Sequence, residues 1–301
     1  MINGIINVYK EKDFTSHDVV AKLRGILKQK KIGHTGTLDP QATGVLPVCL
    51  GKGTKLCDML TDRDKEYEAV MLLGKTTDTE DTTGKILTEN EVDVTDEEIT
   101  QTVMSFLGSY DQIPPMYSAL KVNGKKLYDY ARAGIEIERK SREVTIYEIK
   151  IVSIEQPRVT FRVRCSKGTY IRTLCKDIGE KLGCGACMDE LKRTMVGRFE
   201  LKDALTLSQI EEYVKYGSIN HIVHNIDEMF EHLNRYIVSE KYNKFLYNGN
   251  ALKKEWFTDD ESVDSQIRIY DCKGEFYGIY SYNKIRDEYK PDKIFYDNEA
   301  G

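Results

Sequence analysis

Gly33-His34-Thr35-Gly36-Thr37-Leu38-Asp39-Pro40-Gln41-Ala42-Thr43-Gly44 is the stretch on which the rest of the chain turns. Three glycines, three threonines, one proline and one histidine surround a single carboxylate, Asp39. That mixture suits a structured loop better than the interior of a helix or strand. Glycine admits backbone angles that side chains forbid. Pro40 fixes its own φ and biases Asp39 towards an extended conformation. Asp39 therefore sits at a stiff point of a tight loop. Taken alone, the stretch keeps two readings open, because Asp-Pro is also a common turn dipeptide.

Upstream of this loop, residues 2–9 are mainly apolar and predict a buried strand. Lys10 to Phe14 is a polar connection. Thr15 or Ser16 then caps a helix with Val19, Val20, Leu23, Ile26 and Leu27 on its apolar face. Lys22, Arg24 and Lys28 lie on the other face, as a solvated surface or a phosphate-facing one. Downstream, Val45–Leu50 predicts a strand, Lys52–Leu60 a helix, and Glu66–Leu73 a strand with Tyr67 near its start. Thr76 to Thr83, T-T-D-T-E-D-T-T, predicts a solvated acidic loop. Thr95 and Glu98 form a capping box for a helix through Leu107, which Gly108 can end.

Pro114 to Arg142 is basic and rich in tyrosine. Tyr117, Tyr128 and Tyr130 alternate with Lys121, Lys125, Lys126 and Arg132, a mixture suited to phosphates and exposed bases. Tyr128 with Ala131 also fits an ordinary core stripe. Val144, Ile146, Ile149 and Ile151 predict a strand with one slip in its alternation, which a bulge near Tyr147 would absorb. In the next strand Val159, Phe161, Val163 and Cys165 point one way and Arg158, Thr160, Arg162 and Arg164 the other. That arginine row is either solvated or turned to a polyanion. Ser166–Thr169 is a turn, and Tyr170–Leu182 a helix. Leu207, Ile210 and Val214 mark a further helix. From about Tyr236 the pattern changes to short strands, with turns at Asn248–Asn250 and Lys273–Gly274 and a hairpin over residues 267–282.

The chain has 301 residues, 40% of them apolar, enough for one large domain or two. No apolar run reaches the roughly 18 residues of a membrane span. The amino terminus lacks the pattern of a signal peptide, so a cytoplasmic location is expected. The seven cysteines should then be reduced. Cys184 and Cys187 make a C-x-x-C and His221 and His224 an H-x-x-H, but the two pairs lie far apart and are weak as a zinc signal. Net charge is -5, unpromising for a partner of nucleic acid until its distribution is seen. Residues 1–60 hold 9 basic against 5 acidic groups, and residues 115–200 hold 18 against 11. Residues 61–114 hold 4 against 14, and residues 201–301 hold 13 against 19. A polyanion responds to local potential, so the basic blocks are expected to meet it and the acidic ones to face away.

Several longer motifs, taken together, resemble one family. Gly33 to Pro47 fills every fixed place of G-H-x-G-x-L-D-P-x-A-x-G-x-L-P, the catalytic motif of the TruB family of tRNA pseudouridine-55 synthases. In family order follow K-E-Y at Lys65–Tyr67, Y-S-A-L-K at Tyr117–Lys121, and G-K-K-L-Y-x-Y-A-R at Gly124–Arg132. C-S-K-G-T-Y-I-R-T at Cys165–Thr173 and G-E-K-L-G-C-G-A at Gly179–Ala186 complete the set. Several motifs in one order are far more specific than one short pattern. The resemblance is strong over residues 1–235 and weak beyond.

The resemblance implies an α+β fold: a catalytic domain over residues 1–235 with a mixed, mainly antiparallel sheet, flanking helices and an RNA-clamping insertion at about 115–142. A small all-β PUA-like RNA-binding barrel would occupy residues 236–301. It implies isomerisation of uridine to pseudouridine at position 55 in the T-loop of tRNA, with the base flipped into a pocket. Asp39 is the expected nucleophile, Arg172 the cation that holds it through a planar fork, and Tyr67 the ring that stacks on the uracil and can also move a proton. Lys10, His34, Tyr170 and Leu191 match pocket-lining positions. Lys121, Lys125, Lys126 and Arg132 belong to the clamp. The family's proline after Lys10 is replaced by Glu11. The T-arm stem-loop of tRNA is the implied partner, with no membrane, no obligate protein partner and a monomeric chain.

Pseudouridine formation breaks the N1–C1′ bond, turns the base, and joins C5 to C1′. Nothing is oxidised, so the chemistry calls for no redox cofactor, nucleotide or metal. A carboxylate can attack carbon and later leave, and attack at C6, attack at C1′ and proton abstraction all stay open for Asp39. Rival classes are a binding-only RNA module, a relative guided by RNA inside a ribonucleoprotein, and a zinc deaminase. The last would need H-x-E with P-C-x-x-C, and neither occurs.

Overall fold

The structure is a computed structural model that describes residues 1–258 and 263–296. The acidic run Asp259–Glu261 lies outside the described residues. The larger part is built on a nine-stranded sheet. Gly4–Lys10, Thr43–Leu50, Ala186–Val196, Lys65–Leu73, Arg158–Cys165, Arg142–Glu155 and Gly108–Gln112 lie side by side in that order. Ile32–His34 joins Thr43–Leu50, and Phe199–Glu200 joins Ala186–Val196. Among the described residues its pairings are antiparallel apart from one short seam, where Lys192 and Arg193 run parallel to Thr43 and Gly44. The Asp39 loop empties into this seam. A Cβ on Gly44 would lie 2.2 Å from the Arg193 carbonyl oxygen, and its φ is +105°. Only glycine fits both demands.

Alternation sets the core. Val159, Phe161, Val163 and Cys165 are fully buried and pack with Leu174, Cys175 and Ile178 of the helix Ile171–Leu182. Ile99 and Val103 of the helix Asp96–Met104 close the same cluster. Cutting Phe161 to alanine here would cost about 3–5 kcal/mol. The opposite arginine row is ion-paired along its length: Arg158 with Asp189 at 2.9 Å, Arg162 with Glu68 at 3.0 Å, Arg164 with Asp64 at 3.5 Å. The strand before it carries the expected bulge, since register shifts between Ile146 and Glu148.

At the other end of the sheet, Thr15 caps the helix Ser16–Ile26 in a capping box with Asp18. This cap holds a helix whose Val19, Val20 and Leu23 pack on Ile6, Val8, Leu46 and Val48. Loss of such a cap costs about 1 kcal/mol. The expected helix over Lys52–Leu60 is instead a 3-10 segment, Gly51–Leu56, followed by a short α-helix, Cys57–Thr61. Two glycines in its first turn explain the weak start. The helix expected to reach Leu107 stops at Met104, and Gly108 opens the next strand.

The acidic stretch Thr76–Thr83 corrects the expectation of a solvated loop. Thr77 and Glu80 are buried. Glu80 Oε2 accepts from Thr173 Oγ1 at 2.6 Å, and its carbonyl accepts from Met188 N–H at 3.0 Å. Part of the acidic block is therefore folded against the helix Ile171–Leu182 rather than turned away.

Asn234–Ile237, Leu252–Lys253, Gln266–Tyr270, Phe276–Asn283 and Glu288–Ile294 form a separate five-stranded sheet. Its own core is aromatic, with Tyr236, Phe257, Tyr277, Tyr280 and Tyr289. The hairpin expected over 267–282 is present, turning at Gly274 with φ +83°. The Asn248–Asn250 turn follows a short helix, Asn243–Tyr247, rather than joining two strands. Ile279 and Phe295 of this sheet share a cluster with Ile5, Val45, Cys49 and Phe230, so the two sheets are packed together.

Candidate active site

The Asp39 loop is pinned on both sides of the carboxylate. Leu38 and Ala42 are buried. Leu38 N–H donates to Ser16 Oγ at 2.9 Å, Asp13 N–H to the Pro40 carbonyl at 2.9 Å, and Ala42 N–H to the Asp39 carbonyl at 3.1 Å. Buried Lys10 braces the loop from behind, donating to the carbonyls of Glu11, Phe14 and Pro40. Glu11, where the family has proline, thus still offers its carbonyl to Lys10. Burial lowers the Lys10 pKa to about 8, against the pull of nearby Asp39.

Asp39 and Arg172 meet although they stand far apart in sequence. Arg172 Nε lies 3.0 Å from Asp39 Oδ2, and its second terminal nitrogen 3.4 Å from Oδ1. The fork is two-pronged, which fixes direction as well as distance. The Arg172 side chain is only 7% exposed, whereas that of Asp39 is 39% exposed. The guanidinium is thus part of the wall, and the carboxylate faces outward. Arg172 spends its other donors on the Thr79 carbonyl at 2.9 Å and the Tyr117 carbonyl at 2.8 Å, with Asp81 4.0 Å away. A guanidinium satisfied on all sides cannot swing freely, and it holds Asp39 on a rigid mount.

Tyr67 is buried beside this pair and stands opposite Arg193 across the paired strands. Burial raises the phenol's pKa, with Arg193 opposing, so Tyr67 stays protonated at neutral pH. Arg193 is buried too and donates to the Val45 carbonyl at 2.7 Å and the Gly36 carbonyl at 3.4 Å. It thereby ties the strand of Tyr67 to the loop of Asp39. His34 is half-buried; its Nδ1 accepts from Gly36 N–H at 3.3 Å, and burial lowers its pKa. Tyr170 stands at the amino end of the Arg172 helix, and Leu191 packs half-buried on the main core. A cleft of about 320 Å³ opens beside the loop, lined in part by Gln41, Thr43, Thr82, Leu191 and Lys192.

The clamp residues stand apart from this cluster. Lys121–Val122 and Lys125–Lys126 form a two-stranded ribbon turning at Asn123 and Gly124, both at positive φ, followed by the helix Leu127–Arg132. Lys121, Lys125 and Arg132 are exposed. Lys126 and Arg132 both approach the Tyr128 ring, at 5.3 and 5.4 Å from its centroid. This region is linked to the carboxylate through the Tyr117 carbonyl on Arg172.

Sequence reading missed four contributors. Arg193 shares a strand face with Leu191, and only that alternation hinted at it. Thr79 and Asp81 lie in a stretch whose polar composition imitates a solvated loop. Gln112, which hydrogen-bonds the Tyr170 backbone at the start of the Arg172 helix, carries no local signal at all. The weak zinc candidates are dispersed: Cys184 and Cys187 are buried, while His224 lies edge-on to Phe199 and 3.3 Å from Glu228. Among the described residues no three His, Cys, Asp or Glu side chains group as metal ligands, and no helix is long and apolar enough to cross a membrane.

Known proteins match this arrangement over most of the chain. The family model described as TruB family pseudouridylate synthase (N terminal domain) matches residues 24–171. The one described as tRNA pseudouridylate synthase B C-terminal domain matches residues 172–231. That boundary cuts between Ile171 and Arg172 inside one helix, so both halves contribute to one site. The tRNA pseudouridine synthase B of Lachnoclostridium phytofermentans is 54% identical, covering 98% of this chain and 100% of its own. That of Listeria welshimeri is 44% identical over 99% and 100%. Among solved structures, a Cbf5-Nop10-Gar1 complex superposes with a TM-score of 0.73 at 29% identity, over 97% of this chain and 85% of that one. An H/ACA ribonucleoprotein bound to a substrate RNA containing 2′-deoxyuridine gives 0.71 at 26%, over 98% and 86%.

Proposed function

The chain belongs to the TruB family of pseudouridylate synthases, and from that premise we propose that it acts at the T-loop uridine of tRNA, position 55, with Asp39 as the attacking group. It is a tRNA pseudouridine synthase, an isomerase that turns uridine into pseudouridine. The observation that carries the role of Asp39 is its two-pronged pairing with a buried arginine while the carboxylate itself stays accessible. Such a carboxylate is aimed and ready to bond to carbon without reorganising its surroundings.

The uridine must leave its stack to reach Asp39. In this reading Leu191 and Tyr67 wall the pocket for the flipped base, with the Tyr67 ring stacked on the uracil and its hydroxyl protonated at neutral pH. His34 and Tyr170 border the same space. Lys10 serves from behind, through Pro40. Lys121, Lys125, Lys126 and Arg132 clamp the phosphates of the T-arm. Residues 236–301 form a PUA-like domain that extends RNA contact. The enzyme works as a single chain in the cytoplasm, on a redox-neutral reaction that calls for no metal or nucleotide.

The test is product mapping on unmodified tRNA and on an isolated T-arm hairpin. Pseudouridine at the T-loop position in both supports the reading. Modification at another uridine, or of full tRNA alone, would remove the T-arm as the recognised unit.

A further inference from the structure

The helix that carries Arg172 begins at a grip made by one side chain. Gln112 ends the strand Gly108–Gln112 and is 1% exposed. Its Oε1 accepts from the Tyr170 N–H at 2.8 Å, and its Nε2 donates to the Tyr170 carbonyl at 3.0 Å. One amide therefore binds both backbone groups of a single residue, as a neighbouring strand would. The second Nε2 hydrogen goes to Tyr110 Oη at 2.5 Å. Tyr110 in turn faces Asp177, further along the same helix. Two side chains of one strand end thus bracket the helix.

The position of this grip matters more than its strength. The Tyr170 carbonyl also accepts the first helical hydrogen bond, from Leu174 N–H at 3.0 Å. The Tyr170 N–H, by contrast, is a helix-end donor with no intrahelical partner. Tyr170 supplies no side-chain cap, so Gln112 supplies what a cap would. Gln112 also begins the segment that leads through Pro114 and Pro115 to Tyr117, whose carbonyl holds Arg172. The strand end and the Tyr117 carbonyl are two fixed points, and Arg172 is suspended between them.

We infer that Gln112 is a positioning residue for the isomerisation: its amide sets the start of the Arg172 helix and thereby the aim of Arg172 on Asp39. The inference rests on the Asp39–Arg172 pair being the reacting centre. Gln112 touches no substrate in this account and acts only through Tyr170 and Arg172. Its loss should therefore lower the rate of the bound complex and leave RNA affinity alone.

The experiment compares Gln112→Met and Gln112→Glu with the wild-type chain and with Asp39→Asn, in single turnover on a T-arm hairpin. Rates are taken at saturating enzyme and scaled to the folded fraction by circular dichroism. Gln112→Met keeps length and removes every hydrogen bond. Its rate should fall by about thirty-fold or more, since misplacement of about 1 Å can cost on the order of a hundred-fold. Its Kd should stay within about threefold of wild type. Gln112→Glu reads the hydrogen bonds themselves. A neutral carboxyl can donate to the Tyr170 carbonyl and accept from the Tyr170 N–H, whereas a carboxylate cannot donate. The variant-to-wild-type rate ratio should rise as pH is lowered from 8 to 6; it is measured with Asp177→Asn in both proteins, because Asp177, raised to about 7 by burial, faces this position through Tyr110 and would couple to an added carboxylate. A folded Gln112→Met at wild-type rate, a loss confined to Kd, or a Gln112→Glu ratio that falls as pH is lowered would each overturn the inference. An active Asp39→Asn would instead overturn the reading beneath it.

Discussion

The Asp39 site and the clamp segment differ in kind. Around Asp39, backbone groups and buried side chains are tied across the chain: Leu38 to Ser16, Pro40 to Lys10, Arg172 to Thr79 and Tyr117, Arg193 to Val45. Around Lys125 there is a ribbon of two short strands and a six-residue helix, with its cations exposed or laid on Tyr128. A rigid mount suits a bond-forming carboxylate, whose geometry must hold within about 0.5 Å. An exposed, lightly packed arm suits phosphates, which need charge within reach rather than fixed angles. Under the proposed reading, chemistry and affinity fall to separate regions of the chain, and each should break without the other.

The largest expected effect breaks the rigid side. Arg172→Ala leaves Asp39 without its fork and opens the Thr79 and Tyr117 carbonyls. The single-turnover rate should fall on the order of a thousand-fold, the upper range for losing a preorganised charge partner, while hairpin affinity stays within about threefold. A loss of affinity matching the loss of rate would mean that Arg172 binds RNA directly, and the division would blur.

The smaller effect breaks the other side. Lys125→Ala with Lys126→Ala should weaken tRNA binding by about tenfold near physiological salt and flatten the plot of log K against log salt by one to two units, as expected for about two lost phosphate contacts. The rate at saturating enzyme should be unchanged. An unaltered salt slope would return the segment to ordinary solvated surface.

The same contrast explains what was legible in the sequence. The Asp39 loop, the strand of Phe161, the bulge at Tyr147 and the capped helix of Val19 all declare themselves locally, through glycine and proline, through alternation, or through a capping pair. The Asp39–Arg172 contact became visible only through the family motifs, since nothing near either residue points to the other. Thr79, Glu80, Asp81, Gln112 and Arg193 stayed hidden for one reason. Each acts through a backbone carbonyl or a distant partner, and composition reports neither. Thr76–Thr83 is polar enough to pass as solvated, yet Glu80 is buried because Thr173 satisfies it. The arginine row showed its spacing but not its neighbours. Strand register brings Glu68 opposite Arg162, and exposed pairs of this kind contribute about 0–1 kcal/mol each.

The central claim is that Asp39 performs the chemistry while other residues hold the RNA, and it is tested most directly by measuring rate and affinity of Asp39→Asn in one preparation. The substitution keeps size and removes charge and nearly all nucleophilicity. Folding is checked by circular dichroism, because the loop is also structural. The account predicts no detectable pseudouridine at the T-loop uridine, with hairpin Kd within about tenfold of wild type, or roughly 1.4 kcal/mol. A folded Asp39→Asn chain that still converts uridine at more than a few per cent of the normal rate would contradict it.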